Sequence, residues 1–181
     1  MNIKETKLKG CFEIEPRIFE DNRGYFFESY NSNFFSKSIG KPIQFVQDNE
    51  SFSSRGTLRG LHYQRGEFAQ AKLVRVIKGV VLDVVLDARK ESKTFGEYIV
   101  VELSEENKKQ LFVPRGFAHG FIVLSDTAIF SYKCDNYYNK ASEAGIIYND
   151  PQLKIDWRLN ENEILLSEKD SELPLFENAL L

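Results

Sequence analysis

The valine-rich run KLVRVIKGVVLDVVLDAR, Lys72–Arg89, constrains the fold more than any other stretch of the chain. β-Branched side chains dominate it, and these pack well on a pleated surface and lose freedom in a helix. Alternation places Leu82, Val84 and Leu86 on one strand face and Asp83 and Asp87 on the other, while Gly79 punctuates the run as a turn or bulge. Further strand-like segments, GEYIVVEL, KQLFVP, HGFIVLS and TAIFSYKC, recur at a spacing of about ten residues. That rhythm favours an all-β sandwich or barrel. Helical signals are few. NSNFFSKSIG (Asn31–Gly40) reads as one short helix closed by glycine, and the tail NENEILLSEKDSEL has room for another turn. The strands are expected to form a central β core with decorations at each end.

A chain of 181 residues is most simply one domain, 1–181, and is long enough to build a real core. With 42% hydrophobic and 28% charged residues it has the balance of a soluble globular protein. The net charge of −3 argues against a general nucleic-acid or membrane-surface binder, yet leaves room for a local basic pocket. MNIKETKLKG has no apolar segment of the signal-peptide type. No run approaches the roughly 18 apolar residues of a membrane span. The two cysteines, Cys11 and Cys134, fit free thiols in a reducing compartment, so a cytoplasmic location is expected.

The chain has only two histidines. His62 sits in TLRGLHYQ, and Gly60, His62 and Gln64 share one face of its strand. His119 sits in FVPRGFAHGFIVL, after a turn at Pro114 and Gly116, and shares a face with Phe121 and Val123. The bland reading of His119 is a histidine at a hairpin mouth. The two together, in the densest β region, suggest a common site.

RGLHYQ, QAKLVRVIKGVVLDVVLDARKESKTFGEY, FVPRGFAHGFIVL and GIIYNDPQLKIDW together resemble the dTDP-4-dehydrorhamnose 3,5-epimerase family. The resemblance runs from about Gly10 to LSEKD, nearly the whole chain. It implies a cupin jelly-roll barrel with short peripheral helices, a homodimer, and no cofactor. The substrate it implies is a dTDP-linked 4-keto-6-deoxyhexose, inverted at C3 and C5. Many cupins hold a metal, but their sites gather several histidines and a carboxylate around one ion. Here HYQ supplies only His62 and the second motif only His119, so no metal site is expected.

Protons next to a ketone are weakly acidic, so the reaction needs a base on one face, an acid on the other, and a cation at the ketone oxygen. His62 fits the base, since histidine titrates near neutrality. The resemblance pairs it with Asp170, which in isolation reads as a solvated tail residue. It makes Tyr132 the acid, although Ala128, Phe130 and Tyr132 also fit an aromatic core stripe; Tyr138 is the second candidate. Lys72 shares a face with Val74 and Val76, and an interior lysine there needs a reason such as an enolate oxygen, or else its ammonium reaches solvent.

There is no phosphate-binding glycine loop, so side chains must hold a diphosphate. The resemblance assigns Arg23, Arg59 and Lys169 to that task, and Glu28, Gln47, Asp48, Asn49, His119, Tyr138 and Glu143 to further contacts. Phe26 and Phe27 are candidate stacking partners for a pyrimidine. NRGYFFES is the segment expected to cross to a neighbouring subunit. Each of these residues alone reads as surface charge or turn. Two departures stand out: Lys140 occupies a place where the family often has proline, which bears on the Tyr138 loop, and Tyr148 stands where tryptophan is common. Alternative activities are a single-centre epimerase, a 3,4-ketoisomerase, or a sugar-nucleotide binder without catalysis.

Overall fold

The computed structural model describes residues 1–181. β1 (Asn2–Glu5) and β2 (Phe12–Glu15) pair antiparallel, and β3 (Ile18–Asp21) and β4 (Gly24–Phe27) form a separate hairpin. α1 (Ser32–Ile39) leads to β5 (Gln47–Ser54) and β6 (Leu58–Gln64). The valine-rich run gives β7 (Lys72–Lys78) and β8 (Val80–Asp87), divided at Gly79. β9 (Tyr98–Ser104), β10 (Gln110–Val113), β11 (Phe117–Val123) and β12 (Thr127–Cys134) follow, then β13 (Glu143–Gly145) and α2 (Glu168–Ser171).

The strands assemble into a six-stranded sheet, β1-β2-β10-β7-β12-β5, and a five-stranded sheet, β13-β6-β11-β8-β9. Sequence neighbours repeatedly fall in opposite sheets, so the chain passes back and forth across the core. The result is an all-β jelly roll with short peripheral helices. The strands expected from GEYIVVEL, KQLFVP, HGFIVLS and TAIFSYKC all form. β1 to β5 lie outside the periodic signal.

The sheets face each other over one apolar cluster. Val74, Val76, Leu111, Ala128 and Phe130 come from the larger sheet; Val81, Val85, Leu103, Phe117 and Phe121 come from the smaller. Phe121 and Phe130 stack across the gap, with ring centres 4.1 Å apart and planes 16° apart. A second cluster covers the outer face of the smaller sheet, where Leu82, Val84 and Leu86 meet Leu153, Trp157 and Phe176 of the C-terminal segment. β8 is therefore buried on both faces, which is why it reads as nearly continuous valine and leucine. Asp83 and Asp87 have no solvent exposure despite the alternation that set them apart. Asp87 is satisfied locally: Arg89 donates three times to it, once from its amide and twice from its guanidinium, and the Ser92 and Thr94 hydroxyls each donate once. These bonds hold its carboxyl down at about 2, against a burial effect that would raise it.

α1 forms where its caps allow. The Asn31 side chain accepts from the Phe34 amide, and Gly40 ends the helix in the left-handed region at φ 75°. Its one buried residue, Phe35, packs edge-on against Phe112 at 5.2 Å on the outer face of the larger sheet. Burial of that ring is worth about 3 kcal/mol.

β6 and β11 approach unusually closely. A Cβ on Gly60 would lie 2.5 Å from the Gly120 Cα, and one on Gly120 would lie 2.7 Å from the Arg59 carbonyl oxygen. The β6–β11 register shifts at this point, between His119 and Phe121. Gly120→Ala should therefore destabilise the fold by about 2 kcal/mol, or about 4–8 °C in melting temperature. A thermal melt followed by circular dichroism measures this, and an unchanged midpoint would mean that the strands separate without cost.

Candidate active site

The stacked Phe121–Phe130 pair floors a cavity of about 280 Å³ between the sheets. A neighbouring cavity of about 290 Å³ shares His62, Lys72 and Tyr132 with it. The three side chains come from both walls: His62 from β6 in the smaller sheet, Lys72 and Tyr132 from β7 and β12 in the larger.

His62 and His119 are directly opposed residues on β6 and β11, so their side chains leave the same face of the sheet. Each meets a carboxylate. His62 Nε2 lies 2.5 Å from Asp170 Oδ1, although 108 residues separate them. α2 delivers Asp170, whose amide is capped by the Ser167 hydroxyl at 3.1 Å. Burial would raise the Asp170 carboxyl, but the bond from His62 and the nearby Lys169 charge together hold it below the usual range. His119 Nε2 lies 2.9 Å from both oxygens of Asp83.

Lys72 has no carboxylate partner. Burial pushes its ammonium pKa down, against the opposing fields of Cys134, Asp83 and Glu143. The ammonium lies 5.8 Å from the centre of the Tyr132 ring. Tyr132 is only partly exposed, and burial raises its phenol, so the hydroxyl keeps its proton at neutral pH. A desolvated ammonium is a strong stabiliser of developing negative charge, because little water screens it. The cavity can thus take a proton from one side of a bound molecule, return one from the other, and hold an oxyanion between.

The other expected residues divide into two groups. Arg59 reaches the cavity, its Nε and Nη2 donating to the Ser53 hydroxyl at 3.2 Å. Lys169 bonds to Glu143, and Tyr138 donates to the same carboxylate at 2.9 Å, so the three form one polar cluster at the mouth. Burial would raise the Glu143 carboxyl, but these bonds hold it low. Gln47 and Asn49 line the second cavity. Asp48 points the other way, exposed and 2.9 Å from Lys133. Arg23 is exposed on the β3–β4 turn, bonded to Asp21, and Glu28 is exposed nearby. Within one chain neither meets the cavity. No three His, Cys, Asp or Glu side chains converge as a metal would require.

Sequence reasoning missed Asp83, Ser51 and Ser53. Asp83 could have been found as a carboxylate inside a doubly buried strand. The serines carried no signal, because β5 was not recognised as a strand.

The dTDP-4-dehydrorhamnose 3,5-epimerase family model matches residues 5–178. The dTDP-4-dehydrorhamnose 3,5-epimerase of Salmonella typhimurium is 50% identical over 181 residues, covering 100% of this chain and 98% of that protein. The crystal structure of the enzyme of the same name from Elizabethkingia anophelis superposes with a TM-score of 0.95 at 56% identity, over 98% of this chain and 97% of that one. A Legionella pneumophila dTDP-6-deoxy-D-glucose-3,5-epimerase in complex with dTDP-4-keto-L-rhamnose superposes with a TM-score of 0.94 at 48% identity, over 98% and 93% of the two chains. With a family model across nearly its whole length and half its residues shared with full-length relatives, this chain belongs to the dTDP-4-dehydrorhamnose 3,5-epimerase family.

Proposed function

We propose that this chain inverts C3 and C5 of dTDP-4-dehydro-6-deoxy-D-glucose, giving dTDP-4-dehydro-L-rhamnose. The observation that carries the reading is the placement of a histidine–aspartate pair and a tyrosine on opposite walls of one cavity, with an unpaired lysine beside the tyrosine. The free ring nitrogen of His62 takes the proton from the carbon next to the ketone. The C–H electrons become the enolate, whose oxygen the Lys72 ammonium stabilises. Tyr132 then delivers its hydroxyl proton to the opposite face, and solvent exchange resets both groups. C3 and C5 flank the same carbonyl, so one oxyanion site serves both centres. No electrons leave the substrate, so the chemistry requires no redox cofactor. Asp170 stabilises the imidazolium formed midway.

Arg59, Lys169, Gln47 and Asn49 are placed to hold the nucleotide and its diphosphate. Arg23, Glu28, Asp48, Phe26 and Phe27 are proposed to act from the partner subunit of a homodimer. Supporting this, β3 and β4 expose Phe19, Tyr25 and Phe26 at 50%, 56% and 70%, an apolar surface a lone chain leaves in water. The two buried thiols, Cys11 and Cys134, are free, which suits a reducing cytoplasm; no helix is long and apolar enough to cross a membrane. Cell fractionation checks that location.

In deuterated water the wild type should place label at both C3 and C5. His62→Ala should lose about 10²–10⁴ in turnover while still binding thymidine diphosphate. Lys72→Met should lose about 10²–10³ yet be no less stable, since it removes a desolvated charge. Label at one carbon would indicate a single-centre epimerase, and binding without exchange a non-catalytic protein.

Asp170 should link stability to pH. Its carboxyl is lowered on folding, so its stabilisation is full above the unfolded value of about 4 and is lost as pH falls through the folded value. Asp170→Asn should cost about 2 kcal/mol at pH 7, and its melting temperature should converge with that of the wild type below about pH 4. A gap independent of pH would contradict the pairing. Sedimentation should give twice the mass of the chain; a monomer at assay concentration would remove the shared site.

A further inference from the structure

His119 is set more deeply than His62. It is 6% exposed, its ring lies 6.2 Å from Phe130, and it forms part of the cavity wall. On β11 it faces Val85, while Asp83 faces Phe121, so His119 and Asp83 are diagonal neighbours on one inward face. Asp83 has no exposure, and its carboxylate has the His119 ring as its one side-chain partner. Nε2 is thereby committed, and Nδ1 has no partner within the chain.

The cavity wall holds the cations Arg59, Lys72 and Lys169 and the carboxylates Glu50 and Asp170, with Asp83 behind it and Glu143 bonded to Lys169 at the mouth. A carboxylate only accepts, so Nε2 carries the proton that meets Asp83, and in the neutral ring Nδ1 presents a lone pair.

We propose that Asp83 is a positioning residue: it fixes His119 as the Nε2–H tautomer so that Nδ1 accepts a hydrogen bond from a ring hydroxyl of the bound sugar. This rests on the 4-keto hexose reading of the same cavity. It gives His119 a task distinct from proton abstraction. A site built around such an acceptor favours sugars that carry the hydroxyl over analogues that lack it.

The test has two arms. Long-range ¹H–¹⁵N spectra of the unliganded wild-type protein at pH 7 should show His119 protonated at Nε2 and bare at Nδ1. A proton on Nδ1, in the other tautomer or in an imidazolium, would overturn the proposal. This arm does not depend on turnover, so it stands apart from the deuterium labelling that tests the reaction. In the second arm, Asp83→Asn should raise KM about tenfold for the fully hydroxylated substrate, with kcat within about threefold. That penalty should vanish on either the 2-deoxy or the 3-deoxy sugar nucleotide, which would identify the hydroxyl. A penalty of equal size on both analogues would also overturn it. Should Asp83→Asn fail to fold, the wild-type spectrum still decides.

Discussion

Two backbones lying closer than side chains normally allow set the geometry of the cavity. Only glycine at positions 60 and 120 lets β6 and β11 meet as they do, and the register shift between His119 and Phe121 occurs at that contact. His62 and His119 emerge level with each other beside it. The same turn of β11 carries Phe121 inward onto Phe130. One close approach thus positions both imidazoles and the aromatic floor beneath them. Below that floor the interior is a conventional apolar core; above it the walls turn polar.

Burying charge between two sheets is costly unless each group is paired. Asp87, Asp83 and Asp170 obey that rule, each with short bonds to neighbouring donors. Lys72 does not, and burial lowers its pKa accordingly. A fold optimised for stability alone would place an apolar side chain at the start of β7, continuing Val74 and Val76. The ammonium is retained where only an arriving negative charge would relieve its desolvation. An enolate is such a charge, and a ground-state ketone is not, so in the proposed reaction the imbalance would favour the transition state over the substrate.

The fold class was legible because the strongest signals in the sequence are those of strands buried on both faces. The valine run and the even spacing of apolar segments belong to sheets sealed by a second layer, and α1 was legible from Asn31 and Gly40 at its ends. β5 was not, because it inverts the usual alternation: Asn49 and Ser51 sit half-buried, Ser53 is buried, and Phe52 is 66% exposed. A strand that presents polar groups inward, as a ligand would need, reads as a loop. Asp83 falls opposite Leu82, Val84 and Leu86 in the alternation, and nothing local announces the C-terminal segment that covers the leucine face and leaves Asp83 turned inward. Asp170 was reached only through the family resemblance. Its partner is 108 residues away, and local spacing holds no trace of a contact made by the tail folding back onto β6.

The two tyrosines illustrate why position outweighs residue type. Tyr138 is 51% exposed and already donates its hydroxyl proton to Glu143, so spending that proton on a carbon would break a charge-assisted bond. Tyr132 donates to no group in the chain. It packs against Phe130 and near Lys72, opposite the wall that carries His62. Burial keeps its phenol protonated at neutral pH, and the field of Arg59 works in the other direction, which would ease the phenolate that the proposed proton transfer leaves behind. A phenol that holds its proton at rest, lacks a competing acceptor, and has cations beside it when it ionises suits the acid of an epimerisation. The aromatic stripe of β12 that also fits a core position therefore serves both purposes: Ala128 and Phe130 fill the interior, and Tyr132, one step further along the same face, reaches the point where the packing stops and the cavity begins.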